Sequence, residues 1–266
     1  MSEYWEKRMA SSQARITNKS VRAIRAQQKK YYAAAMERTI NDFEATYNKL
    51  LASMADGKQP TVADLNKLDR YWKMQAQLRK ELENLGDKQI SLMSKEFEKQ
   101  WRAVYESISL PTSSTYSTID SSTIQQLINQ VWVADGKNFS ARVWDNTDKL
   151  IQSLNDELVH CVITGKKPTE LKQLLQERFN VSYSRADTIV RTETAHIQTQ
   201  AAQQRYKDSG ITQVEIWVDE DERSCDVCGA LHGERYPIDA PLPIPAHPNC
   251  RCCILPVVES FLGVRR

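Results

Sequence analysis

Apolar positions recur at steps of three and four along the first part of the chain. Val21, Ile24, Tyr31, Tyr32, Ala35, Ile40, Phe43, Tyr47, Leu50 and Leu51 trace one such stripe and predict a long helix from about residue 16. Gly57 and Pro60 are expected to end it. Thr61 with Asp64 three positions later has the form of a capping box, which opens the next helix. Leu65, Leu68, Trp72, Met74, Leu78 and Leu82 carry that helix to Gly86. A third is predicted from Lys88 through Phe97, Trp101, Val104 and Ile108. The stripes are narrow and the other faces charged or glutamine-rich. Two arrangements fit: an elongated hairpin or bundle that packs on a partner, or a self-contained bundle.

Pro111-Thr-Ser-Ser-Thr-Tyr-Ser-Thr has no periodicity and reads as a linker. Shorter helices are expected after it: Ser122–Val133, a segment from Ser140 to a terminal Gly165, Thr169–Phe179, and one capped by Ser184 that ends before Gly210. The period then changes. Thr212–Val218 alternates as a strand, and Cys252–Val258 reads as another, with Pro256 placing it at an edge or a strand end. The predicted fold class is mainly α. An N-terminal long-helix domain (1–110) and a linker (111–120) lead into a helical region at 121–266, which closes in a small α+β module at 212–258.

Two features of composition change this picture. Net charge is only +2, yet residues 1–40 carry nine Lys/Arg against three Asp/Glu. That basic arm is read either as a solvated helix face or as a polyanion contact, with Arg22, Arg25, Lys29 and Lys30 as candidate DNA contacts. No apolar run approaches the about 18 residues of a membrane helix, and no signal peptide is expected. A reducing compartment follows, where clustered cysteines serve more often as metal ligands than as disulfides.

Five of the six cysteines fall between Cys225 and Cys253. Cys225-Asp-Val-Cys228 is followed at a distance by His247-Pro-Asn-Cys250-Arg-Cys252-Cys253, the spacing of a structural zinc site. Two thiolates on a tight knuckle reach one ion, and a second knuckle completes the tetrahedron. Candidate ligands are Cys225, Cys228, His247, Cys250 and Cys252, one more than four-coordination needs. Cys225, Cys228 and Cys250 form the preferred set, with His247 or Cys252 fourth. Cys253 faces away from Cys252 on a strand. A disulfide or free thiols are the alternatives. The loop between the knuckles, rich in proline and glycine, cannot bury a large core, so a tie there has a physical purpose.

Nuclease and nucleic-acid knuckle readings fail on spacing. His232 follows Cys228 too closely for a retroviral-type knuckle. No histidine follows His247 to complete the ion site of an HNH-type enzyme. Arg191-Thr-Glu193-Thr-Ala-His196 lies on a predicted helix. Arg191 and Glu193 are two apart and do not share a face. They are read as a structural polar network tying the helix to the cysteine module, and the competing reading is a catalytic Glu193. His196 is expected at the surface or beside the site. His160 and Cys161 are neighbours that diverge on a helix. There is no phosphate-cradling glycine loop, no Gly-x-Ser-x-Gly and no His-Glu-x-x-His. No catalytic set emerges, so the chain is not read as an enzyme.

Arg191-Thr192-Glu193-Thr194-Ala195, Tyr206, Ser209-Gly210, Trp217, Asp219, Asp221, Cys225, Cys228, Leu231, Gly233 and the final His247-Pro-Asn-Cys-Arg-Cys252 resemble the Mu-F-like family of phage head morphogenesis proteins, the minor head proteins of tailed phages. The resemblance is close over about 70 residues and looser from Ser121. It implies a few-copy virion protein at the portal and capsid interior, found in the host cytoplasm during assembly. It also implies contacts with portal, major capsid or scaffolding protein, and a part in packaging or delivering double-stranded DNA. Members of the family occur fused to toxin-like domains, and the domain has been likened to ADP-ribosyltransferases. No nicotinamide pocket can be traced through these residues, and the chain ends soon after the module, so no fused enzyme domain is expected. The competing functions are an ADP-ribosyltransferase-like or nuclease enzyme built on the C-terminal module, and a DNA-binding protein acting through the basic arm.

Overall fold

The computed structural model describes residues 3–54, 58–110, 119–133, 135–219 and 224–258. Its elements in chain order are α1 (Glu3–Ala52), α2 (Val62–Asn66), α3 (Asp69–Ser107), α4 (Ser121–Ile128), α5 (Phe139–Thr164), α6 (Pro168–Asp208), β1 (Gln213–Trp217), α7 (Asp226–Gly229), β2 (Arg235–Pro237) and β3 (Cys253–Pro256). The protein is mainly helical, with one three-stranded antiparallel sheet ordered β2-β1-β3. No described helix is long and apolar enough to cross a membrane.

The chain divides into two compact units. The first comprises Met1–Arg25, Leu92–Asn138 and Thr188–Arg266, and the second Ala26–Ser91 and Phe139–Asp187. The boundaries fall inside α1, α3 and α6. The linker expected at 111–120 lies within the first unit's span, and its residues 111–118 are outside the described residues.

In the second unit, apolar faces of α1, α3, α5 and α6 bury Phe43, Tyr47, Leu50, Leu82, Leu154, Leu158 and Leu171 completely. Helical spacing supplies these residues in register, and their burial is the main stabilising term. Two polar side chains caught in this core bond across it. Tyr47 donates its hydroxyl to the Lys166 carbonyl at 2.6 Å, and Asn146 Nδ2 donates to the Ser182 carbonyl at 2.9 Å. The expected capping box is present: Thr61 Oγ1 accepts from the Asp64 N–H, and the Asp64 carboxylate accepts from the Thr61 N–H. Gly165, at φ +65°, terminates α5.

Three expectations are corrected. Gly86 does not separate two helices, because α3 runs through it. Its role is close approach: a Cβ there would lie 2.8 Å from the Trp144 ring. Ser184 does not start a helix either; α6 is continuous from Pro168 to Asp208, and the packing of Ala186 and Val190 favours continuity over a local cap. The third concerns α4, which ends at Ile128 rather than Val133. Gly57, expected to end α1, lies outside the described residues.

In the first unit α6 ends at Gly210, at φ +77°, and the chain turns into β1. Val214 and Ile216 are fully buried on one face of β1. Ile216 pairs with Ile254 and Trp217 with Cys253 on β3, while Val214 also opposes Tyr236 on β2. Pro256 closes β3, an edge strand, where a missing N–H costs no ladder bond. Tyr206 of α6 is completely buried and donates its hydroxyl to the Ile254 carbonyl at 3.2 Å, fastening the sheet to the helix.

Candidate metal centre

The antiparallel pairing of β1 and β3 returns the chain to its starting point, so the segment after β1 and the segment before β3 lie side by side. The first segment carries Cys225 and Cys228 on the four-residue α7. Cys225 is its N-cap, and its sulfur accepts the Cys228 N–H at 3.5 Å. That bond favours the thiolate and lowers the Cys225 thiol below its usual range. The second segment turns sharply at Asn249, a non-glycine residue at φ +64°, and presents His247, Cys250 and Cys252.

All five side chains converge. Cys225, Cys228 and His247 form one group of mutually close ligand atoms, and Cys228, Cys250 and Cys252 form a second. Cys228 belongs to both. His247 Nε2 lies 3.2 Å from Cys225 Sγ and 3.0 Å from Cys228 Sγ, and Cys228 Sγ lies 3.7 Å from Cys250 Sγ. Sulfurs bound to one zinc at about 2.3 Å stand about 3.8 Å apart on a tetrahedral edge, close to the Cys228–Cys250 separation. The His247 contacts, at 3.2 and 3.0 Å, are shorter than such an edge, in part because a zinc–nitrogen bond of about 2.0–2.1 Å is shorter than a zinc–sulfur one.

The histidine tautomer suits a ligand. The Pro248 carbonyl, 2.8 Å from Nδ1, can only accept, so Nδ1 carries the proton and Nε2 turns its lone pair toward the sulfurs. The thiols cannot all ionise by themselves. Cys250 is lowered to about 5, chiefly because Cys252 donates to it. Cys252 is raised by that same hydrogen bond, and burial pushes Cys228 up to about 12. A divalent cation would resolve this conflict by replacing the protons, and the donor set is of the kind that holds zinc. Four protein ligands or more leave no open position, which suits a structural ion rather than a catalytic one.

Two neighbours have other work. Cys253 is buried against Ala10 and Leu255, away from the cluster. His232 Nδ1 accepts the Val218 N–H at 3.1 Å, and its ring meets Trp217 edge to face. No disulfide is present among the described cysteines, all six of which are free.

Helix α6 meets the second knuckle through Thr192, a residue to which the sequence reading gave no structural role. Thr192 Oγ1 accepts the Asn249 N–H at 3.2 Å, holding the second knuckle at its left-handed residue. Arg191 is exposed and Glu193 is buried, as their two-residue separation requires. Glu193 accepts from Trp132 Nε1 at 3.0 Å. His196, expected at the surface or beside the site, is buried. It stacks on Trp132 at 4.3 Å, and burial lowers its pKa to about 3. Among the arm residues, Arg22 is exposed and Arg25 half-buried in the first unit, while Lys29 and Lys30 are exposed in the second. The signal that could have found Thr192 is the hydroxyl-rich Thr192-Glu-Thr194 run, but nothing in the run says which knuckle it meets.

Comparison with known families places this arrangement. The model of the Phage Mu protein F like protein family matches residues 152–255. Residues 152–255 are similar to that family. All five candidate ligands, Thr192 and Glu193 lie inside the Mu-F-like segment. The match supports a phage head-morphogenesis protein. The chain is also similar to the NAD(+)-arginine ADP-ribosyltransferase EFV of Enterococcus faecalis, at 26% identity over 144 residues, covering 47% of this chain and 30% of that protein. The chain thus spans under a third of the length of that relative, and the likeness does not establish enzymatic activity here. No solved structure matches the chain at a significant level.

Proposed function

We propose that the chain is a minor head protein of a tailed bacteriophage, acting at the portal and capsid interior, with a C-terminal unit organised by a structural zinc ion. The match of residues 152–255 to the Mu-F-like family is the observation that carries this reading. Portal, major capsid or scaffolding protein are the partners it implies, and packaging or ejection of double-stranded DNA the process. The zinc draws support from two overlapping groups of close ligand atoms, Cys225–Cys228–His247 and Cys228–Cys250–Cys252, which together offer more than the four ligands of a closed structural site. The ion's task in this reading is to hold the two knuckles in the shape a capsid partner meets.

The test has two parts. Native mass spectrometry of the full chain, purified without chelator, is expected to give a mass heavier by one zinc, with every thiol free after denaturation. A metal-free mass, or one lighter by a disulfide, would overturn the zinc. Phage lacking this chain are expected to form defective heads, and normal filled heads would overturn the assembly role.

An ADP-ribosyltransferase is the second reading, supported by the similarity to the enterococcal protein. Glu193, the carboxylate an enzyme at this module would use, is only 2% exposed and is engaged by Trp132. Transfer of ADP-ribose from labelled NAD to an arginine acceptor, abolished by Glu193→Gln while heads still assemble, would favour the enzyme.

A further inference from the structure

Next to the metal centre, the first unit contains a cleft of about 570 Å³ whose cationic lining comes from three separate stretches of chain. Arg15, Arg22 and Arg25 come from α1, Arg191 from α6, and Arg251 from between two candidate metal ligands. Asp219 is the one carboxylate among the lining residues. Along α1 the residues facing the cleft include Arg15, Asn18, Arg22 and Arg25, spaced by three and four, so they form a single stripe. Like charges at such spacing repel each other, and a concave surface strengthens the field they make. Arg25, Arg191 and Arg251 each have a partner within the chain, so Arg15 and Arg22 are the residues on which the inference is tested.

The geometry points to a binding site for adjacent phosphate groups in this cleft. Guanidinium is the side chain best matched to phosphate, because its planar fork donates two parallel hydrogen bonds. The volume suits a nucleotide-sized group and is too small for a whole duplex, so a polynucleotide would enter by its phosphate edge. The shared chemistry is a pair of phosphates, either in a nucleic-acid backbone or in a small diphosphate. No aromatic side chain lines the cleft among the described residues, so its readout is of charge rather than of base. This site differs from the basic arm read from the sequence. It includes Arg22 and Arg25, adds three arginines that the sequence scatters, and does not require Lys29 or Lys30. The inference stands on the cleft alone and does not depend on the head-assembly reading.

Two probes test it on the full chain: inorganic pyrophosphate by calorimetry, and a short fluorescein-labelled DNA duplex by anisotropy at about 50 and 200 mM salt. At least one probe is expected to bind. The double variant Arg15→Ala/Arg22→Ala is expected to weaken that binding about tenfold or more at low salt. If the duplex binds, the slope of log affinity against log salt should fall by roughly two, because two phosphate contacts are lost. An unchanged zinc content and melting curve keep this separate from a folding defect. Lys29→Ala/Lys30→Ala is expected to bind as the parent does. Binding of pyrophosphate that displaces the duplex would assign a small-diphosphate pocket also used by DNA, and binding of the duplex alone a backbone site. The inference is overturned if neither probe binds, if the arginine variant binds as tightly as the parent, or if the lysine variant loses as much as the arginine one.

Discussion

The second unit and the cysteine module of the first unit are built on opposite principles. The second unit draws on four helices whose periodic apolar faces bury Phe43, Tyr47, Leu82 and Leu154 completely. The module has three strands of three to five residues and a four-residue helix. On one side of the sheet Cys253 and Leu255 pack with Ala10, Met9 and Trp217, and Val214, Ile216 and Ile254 are fully buried. Strands this short do not stand alone. What it has instead is a convergence of thiols and an imidazole. With the zinc proposed above, metal–ligand bonds would add to burial in the module, whereas the second unit relies on burial alone, and the two should fail in different ways.

The sharpest way to break the comparison is Cys228→Ser. Cys228 is the sulfur common to both ligand groups, so its loss leaves neither complete. Zinc content is expected to fall from one per chain toward zero. Binding energies for structural zinc run to about 10 kcal/mol or more, so the module should lose its cooperative transition. Leu82 lies in the other unit, and the variant should leave its helical signal in place. Metal analysis together with circular dichroism checks both halves. A variant that kept its zinc would mean the module is not metal-held.

Leu82→Ala is the complementary lesion. Leu82 is completely buried in the second unit's core, and the cavity left should cost about 2–5 kcal/mol. Chemical denaturation reads the loss. Zinc content should stay at the parent's value, since no candidate ligand lies in that unit. Zinc lost together with stability would show that the two regions do not fail separately.

A smaller effect separates them by pH. His196 is buried against Trp132 in the first unit, with its pKa lowered to about 3. An unfolded histidine titrates near 6.5, so between these values the unfolded chain binds the extra proton. Stability is therefore complete above about pH 6.5 and is lost as pH falls toward 3. From pH 7 to 5 the loss should be about 2 kcal/mol, and His196→Phe should remove that portion of the slope while keeping the stacking. An unchanged slope in the variant would mean that the burial of His196 does not set the acid sensitivity.

The two regions were also unequally legible in the sequence. Helical periodicity marked α1, α3 and α5 because many residues repeat one signal. It misplaced boundaries wherever a single tertiary contact outweighed local preference, as at Gly86 and Ser184. The gathering of Cys225, Cys228, His247, Cys250 and Cys252 was legible for a different reason: a Cys-x2-Cys pair followed by a second tight Cys/His knuckle is a distinctive local spacing. What supports the cluster was not legible. Thr192 meets Asn249 across 57 positions. The arginines of the cleft come from both ends of the chain, and only folding brings Arg22 and Arg251 to one surface. Elements as short as β2 and α7 carry too few residues to show any period.

The smallest predicted effect tests how tightly the area-held region is packed. Alanine favours a helix over glycine by about 1 kcal/mol, so in an open helix Gly86→Ala would stabilise. Here the new methyl would meet the Trp144 ring, with Cζ3 at 2.8 Å and Cη2 at 3.1 Å. A ring moves as a rigid body, so the contact is relieved only by shifting Trp144 on α5, at a cost of about 1–3 kcal/mol. The net result should be destabilisation by about 1 kcal/mol, read as a lower denaturation midpoint with an unchanged slope. Gly86→Ala combined with Trp144→Leu should recover the helix gain, because the smaller side chain removes the clash. If Gly86→Ala alone stabilises, the α3–α5 contact has slack, and the difference between the two regions is narrower than their burial implies.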